Sequence, residues 1–169
     1  NPWNTAHSSG GSSGGASAAV AAGLLPMAQG SDGGGSVRLP SAFCHLFGHK
    51  PSRGRLKNAF GLPDQQVLYT SGPLAHSVAD AAAFIDVVGG LEIGEPHWAT
   101  PPPKLYRELI ETPPPRLRVR VSTTSTLVAV DPEVKAAVVA AANVVAALGH
   151  DVDEADLPEG TLEEFLPLW

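Results

Sequence analysis

Two clusters of glycine and serine near the start of the chain constrain its fold more than any other feature. They read GGSSGG at residues 10–15 and GSDGGGSVR at residues 30–38, and an alanine-rich run lies between them. Glycine loses more conformational freedom on folding than any other residue, so a packed domain that keeps this many needs them for a backbone reason. Successive N–H groups of such a loop can converge on one point, which predicts a site for a phosphate or for the oxyanion of an acyl transfer.

The residues around the second cluster favour the oxyanion. A phosphate loop of the Walker type needs a lysine directly after its glycines, and here Gly35 is followed by a serine, a valine and an arginine. A dinucleotide site needs a strand immediately before its glycines, and Pro26 argues against a central strand there. We therefore predict a loop from Gly30 to about Ser36, with phosphate binding as the lesser alternative.

Ser36 is the candidate nucleophile of an acyl transfer. A serine at this position can reach a carbonyl carbon while the N–H groups of Gly33, Gly34, Gly35 and Ser36 surround the carbonyl oxygen. The reaction also needs a base, and the six histidines lie in no motif that marks one of them as this base. We interpret each histidine as a surface or structural residue.

Composition narrows the class of protein. The 169 residues are 43% hydrophobic and 17% charged, which predicts one domain or part of one. A net charge of -6 argues against nucleic acid binding, which needs a basic surface. With a single cysteine, Cys44, and no apolar run of transmembrane length, we expect a cytoplasmic protein without a metal or cofactor. The chain begins without methionine and ends on an apolar stretch, so we expect both ends to be cut.

Local patterns predict helices on either side of the second cluster. The alanine-rich run predicts a buried helix that begins just after Ser13, packs closely against a sheet and ends near Gly23. A second helix is predicted from its N-cap Ser77 through Val88, with Gly89 as the stop signal.

The second half of the chain predicts an α/β unit. Two proline triplets bracket a short helical candidate within 101–115, and the alternating residues 117–122 predict a strand. An amphipathic helix is predicted from the cap Asp131 to Gly149, followed by an edge strand or loop over 150–157. The order strand, helix, strand is typical of helices that cover a sheet.

The run GGSSGGASAAVAAGLLPMAQGSDGGGSVRLPSAFCHLFGHKPSRGR closely resembles the amidase signature family. The flanking stretches NPWN and GPLAHSVADAAAFIDVVGG are similar to the same family. The resemblance is clear over residues 1–90 and weaker beyond. It implies an α/β fold with a mixed β-sheet core covered by helices, and one domain over 1–169 that comprises a core (1–90), a proline-rich connection (91–116) and a strand-helix-strand extension (117–169).

The resemblance also implies roles for single residues. Ser36 matches the nucleophile that accepts the acyl group, and Ser12 matches a bridging serine that lies on a cis peptide bond and relays a proton. The backbone that binds the oxyanion matches Gly33, Gly34 and Gly35. A supporting hydrogen-bond network matches Ser13, Asp32 and Arg38, and the opposite charges of the last two suggest that they fix the loop.

The third catalytic residue of the family is a lysine kept neutral by burial, and the resemblance implies that it lies before the GGSSGG cluster. Residues 1–9 contain no lysine, and Lys50 matches a different lysine of the family. We therefore expect a fragment with an incomplete active site. Other departures are His45 in place of a usual glycine, and Leu39 where the subunits of transfer-RNA amidotransferases tend to have glutamine.

The function that the resemblance implies is hydrolysis of a non-peptide carboxylic amide through an acyl-enzyme on Ser36, with a small-molecule amide as substrate. Two alternatives stay open. One is the glutaminase subunit of a tRNA-dependent amidotransferase, which would need partner subunits. The other is a catalytically inert, truncated protein. Loss of part of a domain leaves sheet edges and apolar surface bare, so we also expect self-association or a partner chain that supplies the missing segment.

Overall fold

The computed structural model describes residues 1–57, 69–94, 97–126, 128–155, 162–165 and 167. The chain divides into two compact units, which we call unit 1 (Asn1–Thr112) and unit 2 (Pro113–Trp169). Each unit combines helices with a sheet, which confirms the predicted α/β class. The assignment of the whole chain to one domain in three parts stays a prediction.

Unit 1 is built on an antiparallel sheet of three strands in the order β1-β3-β2. The strands are β1 (Met27–Asp32), β2 (Phe47–Gly48) and β3 (Thr70–Ala75). The helices of this unit are α1 (Gly14–Ala21), α2 (Arg38–Cys44), α3 (Val78–Val88) and α4 (Tyr106–Leu109). Leu74 and Ala75 of β3 are fully buried, so the central strand lies in the core.

Strand β1 corrects the prediction of a loop that begins at Gly30. The strand runs through Gly30 and Ser31 to Asp32, paired with β3 in a register that sets Met27 opposite Ala75. Glycine and serine form strands poorly by themselves, and here the neighbouring strand supplies the hydrogen bonds. Pro26 directly precedes the strand, and β1 is at the sheet edge, where a nearby proline is tolerated.

Helix α1 is the buried helix that the alanine-rich run predicts. Gly14, Ser17 and Val20 are buried, and their spacing of three residues sets them on one face of the helix. The helix packs on β1 and on α2. The hydroxyl of Ser17 donates a 2.8 Å hydrogen bond to the carbonyl of Pro40, so a buried polar contact joins α1 to α2.

The boundaries of α3 agree with the prediction. Ser77 is the N-cap, and its Oγ accepts a hydrogen bond from the backbone N–H of Asp80 at 3.1 Å. The helix ends at Val88, before Gly89, and buries Ala81, Ala82 and Ile85. A local cap and a local stop therefore suffice to define this helix.

The short helix between the proline triplets is also present, as α4. The carboxylate of Asp86 in α3 accepts hydrogen bonds from the N–H groups of Tyr106 at 2.6 Å and Arg107 at 3.0 Å. Unpaired N–H groups at a helix start need such an acceptor, and here another helix provides it. Helix α4 of the proline-rich segment is thereby attached to α3.

Unit 2 is a strand-helix-strand unit. It contains β4 (Arg118–Val121), α5 (Pro132–Ala147), β5 (Asp151–Glu154) and α6 (Leu162–Phe165), and β4 pairs with β5 in parallel. Asp131 caps α5 by accepting from the N–H of Glu133 at 2.8 Å, as predicted. The region after Gly149, predicted as an edge strand or loop, is β5 through Glu154, and residues 156–157 of that prediction lie outside the described residues.

Helix α5 buries none of its residues, and Val134, Val139 and Val144 are exposed. Across the described ranges, we find no helix with the length and apolar character needed to cross a bilayer.

Two buried serines in neighbouring helices allow a matched test of the contact between α1 and α2. The hydroxyl of Ser17 is hydrogen-bonded, whereas the buried hydroxyl of Ser41 has no partner among the described residues. We expect Ser17→Ala to lower the free energy of unfolding by about 1 kcal/mol, because it removes the buried hydrogen bond that joins α1 to α2. Ser41→Ala should leave the stability unchanged or raise it by up to about 1 kcal/mol.

Urea denaturation of the whole chain and of the two variants measures this difference. Both substitutions replace serine by alanine within a helix, so the change in helix propensity is similar and cancels in the comparison. Equal effects of the two substitutions would contradict the role given to the Ser17 hydrogen bond.

Candidate active site

The candidate nucleophile lies in the turn that joins β1 to α2. Asp32 is the last residue of β1, residues 33–37 form the turn, and α2 begins at Arg38. Gly35 has a φ of 127°, a conformation that side-chain-bearing residues rarely adopt, so this position needs glycine. Ser36 follows directly and is half-buried.

Asp32 fixes the conformation of this turn. The residue is 1% exposed, and its carboxylate accepts hydrogen bonds from the N–H groups of Gly35 at 2.7 Å, Val37 at 3.1 Å and Arg38 at 3.2 Å. The guanidinium of Arg38 adds two more, from Nε at 2.9 Å and from Nη2 at 2.8 Å. The two side chains therefore form the ion pair across the loop that the sequence predicts.

The electrostatic consequence is a carboxylate that stays ionised. The Arg38 guanidinium and the three N–H groups hold the pKa of Asp32 well below its usual range, against the opposing effect of burial. Donors to the charged form are the ordinary cause of such a shift. A negative charge is thus fixed beneath the turn that carries Ser36.

The GGSSGG cluster lies beside this turn. The peptide bond between Gly11 and Ser12 is cis, as the resemblance implies. The N–H of Ser13 donates to the carbonyl oxygen of Ser36 at 3.3 Å, and the hydroxyl of Ser13 accepts from the N–H of Ser31 at 3.3 Å. Ser13 thus connects the two glycine clusters at both the backbone and the side chain.

The three glycines that are predicted to bind an oxyanion differ in the partners of their N–H groups. The N–H of Gly35 is directed at Asp32, at 2.7 Å, and is not free for a substrate oxygen. Within the described ranges, the N–H groups of Gly33, Gly34 and Ser36 donate to no other residue. In this arrangement the donors available for an oxyanion are these three.

Three of the six histidines, His45, His49 and His76, have defined surroundings in unit 1. Nε2 of His76 lies 2.9 Å from the carbonyl oxygen of Val20, and His49 stacks on Phe47. His45 adopts a left-handed conformation with a φ of 57° at the C-terminal end of α2, where glycine is the residue that this conformation favours. Among the described residues, no group of three or more His, Cys, Asp or Glu side chains could hold a metal ion.

Three contacts near the site were not foreseen from the sequence. Ser17 bonds the carbonyl of Pro40, and the side chains of Asn1 and Trp3 bond backbone carbonyls of α2. No local pattern in the sequence predicts the contacts of the NPWN stretch, because its partners lie about forty residues further along the chain. Only the family resemblance drew attention to this stretch.

Comparison with known proteins identifies the family. The model of the family described as Amidase matches residues 1–167, and the chain belongs to this family. The 6-aminohexanoate-cyclic-dimer hydrolase of Paenarthrobacter ureafaciens is 44% identical over 160 residues, which are 92% of this chain and 32% of the relative. A solved structure of 6-aminohexanoate cyclic dimer hydrolase complexed with substrate has a TM-score of 0.88 at 44% identity, and the match covers 92% of this chain and 33% of that one.

A second kind of relative belongs to glutamyl-tRNA(Gln) amidotransferase. One of the subunits of this enzyme from a Synechococcus species is 40% identical over 159 residues, which are 94% of this chain and 33% of the relative. The chain thus spans about a third of the length of the curated relatives that it matches.

The buried carboxylate makes a testable contribution to stability. Asp32→Asn keeps the shape of the side chain and removes its charge. We expect the free energy of unfolding at pH 7 to fall by about 2 kcal/mol, because a hydrogen bond to a charged group contributes about 1.5–3 kcal/mol. Since the folded pKa lies below the unfolded one, the contribution is complete above about pH 4 and is lost as the pH falls through the folded pKa.

Urea denaturation followed by tryptophan fluorescence between pH 7 and pH 3 measures the effect, and the gap between wild type and variant should narrow below about pH 4. Glu92→Gln, at an exposed carboxylate of the same unit, serves as the control and should change stability by less than about 0.5 kcal/mol. An Asp32→Asn protein as stable as the wild type at pH 7, or a gap that does not depend on pH, would contradict this account.

Proposed function

We propose that the protein acts on carboxylic amides through an acyl-enzyme on Ser36. The observation that best supports this proposal is the hydrogen bond from the Ser13 N–H to the Ser36 carbonyl, because it holds the chain that carries Ser12 against the turn that carries Ser36. The N–H groups of Gly33, Gly34 and Ser36, which have no partner among the residues that the structure describes, provide the second requirement, which is donors for a developing oxyanion.

The proposed reaction has two steps. The hydroxyl oxygen of Ser36 attacks the amide carbonyl carbon, and the carbonyl oxygen gains negative charge among the N–H groups of Gly33, Gly34 and Ser36. The carbon–nitrogen bond then breaks, the amine leaves with a proton, and the acyl group remains on Ser36. Water attacks this ester in the second step, which releases the carboxylic acid and restores the serine.

Ser12 is the proposed relay for the proton of Ser36. Its hydroxyl would accept that proton while it passes its own proton to a base, and the reverse transfer would protonate the leaving amine. The family resemblance assigns the base behind Ser12 to a lysine that precedes the GGSSGG cluster, and the first lysine of this chain is Lys50. Asp32, Arg38 and Ser13 support the reaction by holding the turn and do not take part in proton transfer.

Labelling with a serine-reactive phosphonofluoridate tests the nucleophile. The reagent needs a serine with an oxyanion site for its phosphoryl oxygen, and its fluoride leaves without the proton that a leaving amine needs. It therefore tests Ser36 even in a chain that lacks the lysine of the resemblance. We expect intact mass spectrometry to detect one adduct on the wild-type chain, none on Ser36→Ala, and one on the control Ser31→Ala, since Ser31 is an exposed serine of the preceding strand.

An adduct that persists in Ser36→Ala would show that another residue is the nucleophile. If the wild-type chain gains no adduct, the proposal that this chain forms an acyl-enzyme is wrong. The variant Ser12→Ala distinguishes the roles of the two serines. If Ser12 is the relay, this variant is labelled more slowly than the wild type, and the adduct is still on Ser36.

A glutaminase that serves an amidotransferase is the second candidate. The 40% identity to the glutamyl-tRNA(Gln) amidotransferase relative supports it, and Leu39 in place of the glutamine usual in such proteins counts against it. Incubation with glutamine and with a short-chain aliphatic amide distinguishes the two candidates by the rate of ammonia release. We expect faster release from the aliphatic amide, and release from glutamine alone would favour the amidotransferase role.

The remaining parts of the proposal concern substrate, partners and location. The substrate would be a small-molecule amide with a non-peptide carbon–nitrogen bond. The exposed valines of α5 support self-association or a partner chain, because apolar surface of this kind is usually covered. The free thiol of Cys44 is compatible with a reducing compartment such as the cytoplasm.

A further inference from the structure

The C-terminal end of α2 is capped by side chains from the start of the chain. The last carbonyl groups of a helix have no partner within the helix and need donors from elsewhere. Nδ2 of Asn1 donates to the carbonyl of Phe43 at 2.6 Å, and Nε1 of Trp3 donates to the carbonyl of Cys44 at 2.8 Å. The NPWN stretch, which the proposed chemistry leaves without a role, thus supplies two donors to this helix.

The two capping residues are held together by their own contacts. Oδ1 of Asn1 accepts from the N–H of Trp3 at 3.1 Å, and Nδ2 of Asn1 also donates to the carbonyl of Ser8 at 3.3 Å. The ring of Trp3 meets the ring of His45 edge-on, with centroids 6.3 Å apart. Residues 1–8 therefore form one closed turn seated on the end of α2.

The chain then runs along α2 toward the candidate relay. The thiol of Cys44 donates to the carbonyl of Ser9 at 3.7 Å. Gly10 has a φ of 79° and lies so close to α2 that a Cβ on it would come within 2.9 Å of Cα of Pro40. Ser12 follows two residues later, so its segment is attached to α2 from the last turn to the first.

Ser36 is attached to the N-terminal end of the same helix. Only Val37 separates Ser36 from the first residue of α2, and the N–H of Leu39 donates to the carbonyl of Gly35 at 2.7 Å. Helix α2 is therefore the common support of the two serine segments. A substitution at the C-terminal cap of α2 therefore changes the contacts that hold the segment before Ser12 on the helix, and it replaces neither Ser12 nor Ser36.

We propose that Asn1 and Trp3 are positioning residues that set the placement of Ser12 relative to Ser36 by fixing residues 1–10 along α2. This inference rests on the proposed acyl-enzyme function for its effect on reactivity. Its structural part, the coupling between the cap and the Ser13 to Ser36 hydrogen bond, can be measured independently of any reaction.

Trp3→Phe is the first variant, because phenylalanine keeps an aromatic ring and lacks the N–H donor. We expect the Ser13 amide to exchange its proton about fivefold faster in this variant, measured by NMR on the full chain, and the phosphonofluoridate to label Ser36 about tenfold more slowly. Asn1→Asp is the second variant. It keeps the side-chain shape, removes the N–H donor and puts a negative charge at a helix C-terminus, so both effects should be at least as large.

Trp98→Phe is the matched control, since Trp98 is 56% exposed and Trp3 is 65% exposed in the same unit. It should change neither the exchange rate nor the labelling rate. The amide of Ala81 in α3 donates to the carbonyl of Ser77, and no hydrogen bond of the described residues joins α3 to residues 1–10, so comparing its exchange rate with that of Ser13 separates a local change at Ser13 from a general loss of stability.

The exchange rate of the Ser13 amide and the labelling rate of Ser36 test different parts of the proposal. If the Ser13 amide exchanges at the wild-type rate in both Trp3→Phe and Asn1→Asp, or if only the amide of Leu46 at the end of α2 responds, the two residues are a local cap and the positioning proposal is wrong. If the wild-type chain is not labelled, the acyl-enzyme proposal is wrong, and the exchange rate of Ser13 still decides whether the cap positions the two segments.

Discussion

The buried carboxylate of Asp32 is the interaction on which the rest of unit 1 depends. A charge that is 1% exposed must be compensated by donors, and five hydrogen bonds from the following turn and from Arg38 provide this. The same bonds give one conformation to a run of three glycines that would otherwise have many. They also set the direction in which α2 leaves the sheet, and hence the place of Ser36 at its start.

Helix α2 extends this constraint to the first glycine cluster. The carbonyl of Pro40 accepts a hydrogen bond from the hydroxyl of Ser17, and Gly10 packs closely against the Pro40 backbone. At the other end of the helix, the carbonyl of Cys44 accepts a hydrogen bond from the ring N–H of Trp3. Two features thus hold the two glycine-serine clusters together. One is helix α2, which contacts both, and the other is the hydrogen bond from the N–H of Ser13 to the carbonyl of Ser36. A proton relay needs this arrangement, because a shift of about 1 Å between reacting groups can cost two orders of magnitude in rate.

The comparisons bear on the function of this stretch of chain. A cyclic-dimer hydrolase and a component of a tRNA-dependent amidotransferase, whose names describe different reactions, are 44% and 40% identical to it over nearly the same length. Residues 1–167 of this chain match the model of the Amidase family to which it belongs. The level of identity alone therefore does not choose between these two reactions for this part of the protein.

The sequence by itself determined the elements whose signals are local. Caps at Ser77 and Asp131 start α3 and α5 because each side chain bonds an N–H two or three residues away. The charges of Asp32 and Arg38, six residues apart, likewise predicted their own pairing. Tertiary structure decided the rest. Strand β1 exists because β3 pairs with it, and the N–H of Gly35 meets the Asp32 carboxylate only in the folded loop. Bonds between residues about forty positions apart, such as that from Trp3 to α2, leave no periodic or local trace in a sequence, because their geometry arises only when the sheet and helices have packed.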